Sequence, residues 1–215
     1  VTNVLVRDCV FTNCHLGVGS YWPGCQGIEI RHCVFDGGTK GIGFTDGASG
    51  TISGCELVGQ SWYGIVGNHA GDVQVSDTLV DLTGTGGFCF SAFSPPGSWT
   101  FVNNELRSDG LMVVIQAAQT EMTWRDNRFV RTGPEAWYVH PNGGFGYTGP
   151  VLTIDFEQNH WGTDDPAEVA AWIYDNNDDP DCRYVIDYLP MAEDPVATES
   201  KTWSSVKNLF SGGDD

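Results

Sequence analysis

Residues 28–47 read IEIRHCVFDGGTKGIGFTDG. Apolar and polar residues alternate from Ile28 to Arg31, the pattern of a half-buried strand. Cys33 then stands as an anchor, Phe35 follows two residues later, and beyond the glycine pair the piece GIGF supplies another short apolar strand. Three short strands fall within some twenty residues, and no helical period interrupts them. A chain that turns this often winds as a coil.

Sliding the sequence against itself shows that this unit recurs. VLVRDCVF, IEIRHCVF, TISGCEL, VQVSDTLV, TFVNNEL, MTWRDNRF and DFEQNHW align on Cys9, Cys33, Cys55, Thr78, Asn104, Asn127 and Asn159, at spacings of 24, 22, 23, 26, 23 and 32 residues. Beyond each of the first six anchors lies a second apolar piece: GVG, GIGF, GIVG, GFCF, LMVVI and AWYV. One such unit cannot bury its inward face alone. Units stacked at about 4.8 Å form parallel sheets around one continuous core. The expected fold is all-β, a solenoid of about seven coils over residues 1–162. A C-terminal cap with a short helix (163–191) and a polar linker with an amphipathic tail (192–215) follow it.

The repeat resembles the right-handed parallel β-helix family, the pectin-lyase-like fold. In that family a tight turn between strands often carries an asparagine ladder, and Asn104, Asn127 and Asn159 stand where one would form. Asn tolerates left-handed backbone, and its amide can bond the coils above and below. Cys9, Cys33 and Cys55 share this column and read as stacked, buried thiols, with a metal site drawing in His15 or His32 as the alternative. Cys14 and Cys25, on the outer turns of the first coil, form the most plausible disulfide among seven cysteines.

Formal charge is −18, with three lysines, and fifteen of the twenty-eight carboxylates lie between Asp155 and Asp215. Such a field repels nucleic acid, which needs cations at its phosphates. It also weighs against polyanionic glycans unless calcium bridges the two. No apolar run is long enough for a transmembrane helix. The opening VTNVLVRDCVF reads as mid-domain strand, so an upstream domain or self-association through the open N-terminal coil is expected.

After Asn159, Asp165, Pro166 and Glu168 have the order of an N-cap, a first-position proline and an N3 acid. Val169, Trp172 and Ile173 share the apolar face of the helix they begin. The segment from Trp161 through Met191, with the later TWSSVKNLF, resembles the ending of many bacterial β-helix-repeat proteins.

In GVG, GIG and GIVG the apolar residue is expected to point inward. Gly17, Gly19, Gly41, Gly43 and Gly64 would then face out as a floor without side chains. Tyr21, Trp22, Asp46, His69, Phe93, Gln116 and His140 would line up beside it. Aromatic faces next to small polar groups suit sugar rings, so a glycan groove is one account of these residues. Glycines easing tight turns and aromatics covering strand ends are the other.

The resemblance implies two catalytic alternatives. Lyases of this fold class use calcium-holding acids with a basic residue, for which Lys40, Arg31, Arg7 and His69, beside Asp36 and Asp46, are the candidates. The hydrolase signatures N-T-D, G-H-G and R-I-K are absent. Asp175, Asn177, Asp179 and Asp181 alternate as calcium-loop ligands do, although Pro180 and Ile186 occupy the positions of the turn glycine and the bidentate acid. The expected function is a secreted or cell-surface module that binds extracellular glycan or serves in adhesion without turnover. A polysaccharide lyase and a subunit stacking end to end are the alternatives.

Overall fold

A computed structural model of the chain describes residues 2–20, 24–93, 97–116, 121–134, 137–142 and 149–193. Its strands form three parallel sheets: sheet A with eight strands, from Leu5–Arg7 to Tyr184–Asp187, and sheets B and C with six each. Each coil places its first strand in A, its second in B and its third in C, as Ile28–Arg31, Val34–Asp36 and Lys40–Thr45 do. The seventh repeat contributes only Leu152–Asp155, in sheet A. Fewer coils than the seven expected therefore carry a strand in every sheet.

Register is flush from coil to coil. Ile30 pairs with Ile52, Ile52 with Val75, Val75 with Phe101 and Phe101 with Trp124. All five are buried, so this inward column grows from aliphatic to aromatic along the axis. At its wide end Phe101 and Trp124 lie face to face at 3.7 Å and 7°, and Trp124 stacks on Phe156 at 5.0 Å.

The anchors form a second column, at the turn between sheets A and B. Asn104, Asn127 and Asn159 are buried, and each takes the amide N–H of the preceding anchor on its Oδ1, at 2.9 to 3.0 Å. Their Nδ2 atoms donate to the carbonyls of Val75, Phe101 and Trp124 in the preceding coil. Thr78 joins the chain by accepting from the Cys55 N–H on Oγ1. Cys33 and Cys55 complete it with weak donation to the carbonyls of Arg31 and Ser53. Burial pushes the Cys55 thiol up to about 12, so it stays protonated.

The left-handed residue of this turn is the one before the anchor, not the asparagine itself. Asp8, His32, Gly54, Asp77, Asn103, Asp126 and Gln158 all have φ between 51° and 58°. Cys14 and Cys25 are both free thiols, so the expected disulfide is not formed.

Beyond Asn159 the coil path continues with single bridges in place of strands. His160 bridges to Arg128 of sheet B, Ile173 bridges to Val139 of sheet C, and Tyr184–Asp187 returns to sheet A beside Leu152–Asp155. Helix Pro166–Ala170 lies within this turn, capped by the Asp165 carboxylate, which accepts from the Ala167 N–H at 2.9 Å. Val169, Trp172 and Ile173 are buried.

Replacing Asn127 by Ala leaves the Asn104 N–H buried without its partner and removes the side-chain bonds to the Phe101 carbonyl and Asn159 Oδ1. An unsatisfied buried group costs roughly 1–3 kcal/mol and each lost hydrogen bond about 1 kcal/mol, so chemical denaturation is expected to show a loss of about 3 kcal/mol.

Candidate functional site

The site lies on the outer face of sheet C, and a break in strand alternation creates it. Ile42 and Phe44 point inward, and Gly43 outward. Gly41 also points inward: a Cβ there would lie 2.5 Å from Leu57 Cδ2 in the core. Two consecutive residues thus face the interior in each coil. Gly17 and Gly64 repeat the arrangement, aimed at Phe35 and Val80. The expected floor of five outward glycines therefore reduces to Gly19 and Gly43.

Because two inward residues separate them, the outward columns that flank this break stand apart and a trough of about 310 Å³ opens between coils. Gly19, Gly43 and Val66 form its floor, Leu16, Lys40 and Tyr63 one wall, and Thr45, Asn68 and Phe93 the other. The Thr45 N–H donates to Ser20 Oγ at 3.1 Å, which ties this wall to the first coil. The trough ends at Val66. Ser91 and Val114, next in the floor column, are buried at 1% and 5% exposure.

An aromatic ledge borders the trough. Trp62, 47% exposed, stacks on Tyr63 at 4.7 Å and 24°, and Tyr63 meets the edge of Phe93 at 6.2 Å. Lys40 Nζ lies 4.6 Å from the Trp62 ring centre and 5.7 Å from that of Tyr63. Burial raises the Tyr63 phenol above the ordinary tyrosine range. Among the described residues, the lining contains one cation and no carboxylate.

A family model described as a right-handed beta helix region matches residues 1–157, the span over which the three sheets repeat. The chain belongs to the right-handed β-helix family. No curated protein and no solved structure matches it.

On this β-helix the expected site residues separate. Phe93 lines the trough. Asp46 and His69 sit one residue beyond Thr45 and Asn68, exposed and left-handed at φ 51° and 54°, outside the lining. Gln116 pairs with Phe93 at the next coil. His140 stands at the far end of sheet C, against Trp137 and Tyr174 at 5.9 and 4.8 Å. Tyr21 and Trp22 lie outside the described residues, as does the tail from 194 onward. Sequence reasoning missed Lys40 as a wall residue, together with Trp62, Tyr63 and Asn68. The dipeptide Trp62-Tyr63 immediately before GIVG was the available signal.

The basic candidates for catalysis are spread over different faces. Arg7 and Arg31 pair on sheet A, where Arg31 meets Glu29 at 3.0 Å, and Asp36 is exposed on sheet B. Only Lys40 reaches the trough.

In the acidic loop, Asp175 is buried and its two oxygens accept from the N–H groups of Asn177 and Ile186, both at 2.8 Å. Asp179 accepts from the Asp181 N–H and the Tyr174 hydroxyl. Among the described residues no three acidic, histidine or cysteine side chains gather as metal ligands.

Gly41→Ala and Gly43→Ala test the break directly. The first forces a methyl against Leu57 and the Gly64 carbonyl, and overpacking of this kind costs on the order of 2 kcal/mol. The second has no neighbour closer than 3.6 Å and is expected to leave stability within about 0.5 kcal/mol. Denaturant midpoints of the two variants distinguish them.

Burial also holds His140 below the ordinary histidine range, so the folded state favours its neutral form. Below about pH 6.5 the unfolded chain binds this proton more readily. The stabilisation is complete above that pH and declines as pH falls toward the folded value. His140→Gln is expected to flatten this part of the stability profile, read from urea midpoints between about pH 8 and pH 5.

Proposed function

We propose that this protein is a secreted or cell-surface β-helix module that holds extracellular glycan in the sheet C trough without turning it over. The observation that carries this reading is the Trp62–Tyr63 ledge over a cavity of about 310 Å³. Sugar rings pair apolar C–H faces with a rim of hydroxyls, and an aromatic ledge facing small polar groups meets both requirements. Thr45 and Asn68 supply those polar groups on the opposite wall. Trp62 keeps nearly half its surface open, so a ring can stack on it without displacing the core. Among the described residues the lining contains no carboxylate, which supports binding over hydrolysis, a reaction that calls for a pair of carboxyl groups flanking the glycosidic bond.

A glycan array followed by calorimetry tests the reading. Trp62→Ala is expected to weaken the best ligand at least about tenfold, equivalent to about 1.4 kcal/mol. Trp137→Ala removes a tryptophan of similar exposure, 41%, outside the trough, and is expected to leave binding unchanged. Neither unsaturated products nor new reducing ends should accumulate. Binding that survives Trp62→Ala, or product formation, would defeat the proposal.

A further inference from the structure

We infer that the trough selects a saccharide that is neutral apart from one anionic substituent, a carboxylate or a sulfate, which Lys40 receives. The inference deepens the glycan reading and rests on it. Among the described residues Lys40 is the one cation in the lining, on the wall shared with Leu16 and Tyr63. Arg7, Arg31, Arg107, Arg125 and Arg128 each have a carboxylate oxygen within 4.0 Å. Lys40 has none among the described residues, and the Trp62 and Tyr63 rings take that place.

Ring faces attract an ammonium without neutralising it. They hold the Lys40 charge at the mouth of the trough with its N–H donors available for a ligand. Thr45 and Asn68 opposite are uncharged, so the trough contains one positive position and neutral polar groups elsewhere.

The charge of the whole chain decides how much anion is tolerated. At −18, the protein repels a polymer carrying a charge on every residue over distances of a Debye length, roughly 8 Å in physiological salt. A single charge on a neutral oligosaccharide incurs little of that repulsion and still gains a charge-assisted hydrogen bond from Lys40. The preferred ligand is therefore sparsely charged, neither neutral throughout nor polyanionic.

A matched array decides this. Neutral oligosaccharides are printed beside forms carrying one terminal carboxylate, forms carrying one sulfate, and acidic homopolymers. The singly charged forms are expected to bind about tenfold more tightly than their neutral counterparts. Lys40→Met should erase that difference, Lys40→Arg should restore most of it, and Trp62→Ala should abolish binding of neutral and charged forms alike. Thermal midpoints verify that each variant is folded. Equal binding of neutral and charged forms, unaffected by Lys40→Met but lost in Trp62→Ala, would overturn the charge preference and leave the glycan trough standing. Tightest binding by the homopolymers would overturn it too. The absence of any Trp62-dependent binding would remove both.

Discussion

A single coil turns so little surface inward that it gains stability only against its neighbours, and the anchor column ensures that neighbours meet in one register. Each buried amide of Asn104, Asn127 and Asn159 accepts from one coil's backbone and donates to its carbonyl. A slip by one residue would break both bonds and turn the inward column outward in the same step. The side chain at this position must reach a carbonyl and tolerate full burial. Cys33, Cys55 and Thr78 do so with a thiol or a hydroxyl where the inward column of sheet A is aliphatic, and Asn takes over where that column carries Phe101 and Trp124.

The same widening accounts for the glycines of sheet C. The first of the two inward residues runs Gly17, Gly41, Gly64, Cys89, Met112 and Tyr138 in successive coils. At the narrow end a side chain there would collide with Phe35, Leu57 or Val80, so only glycine fits. At the broad end a tyrosine is fully buried. Glycine in this column therefore records a lack of interior room.

The coil, its three strands and its asparagine column were legible because each repeats, and a repeat reports itself even when single strands of three or four residues carry weak signals. The direction of Gly41 was not legible. Strict alternation assigns Ile42 inward and both flanking glycines outward, and a residue without a side chain offers no apolar signal to contradict that. For the same reason Lys40 escaped notice as part of a groove wall: its outward position depends on the break. The continuation of the coil past Asn159 was hidden as well. Single bridges at His160 and Ile173 need no alternating pattern, and the capped helix between them dominates the local sequence.

Core packing and surface recognition are thus linked at one point in the coil. Placing two residues inward in succession sets Lys40 and Tyr63 apart from Gly43 and Val66, and the trough occupies the space between. The arrangement needs a small first residue where the core is narrow, which confines an open floor to the early coils. Farther along, the larger inward residues Cys89, Met112 and Tyr138 coincide with a floor column that is itself buried at Ser91 and Val114. The binding surface is short: its lining stops at Val66 and Phe93, before the stack of Phe101 and Trp124 begins. Larger residues at Gly17 or Gly41 would collide with Phe35 or Leu57, so the break that opens the trough depends on glycine at both positions.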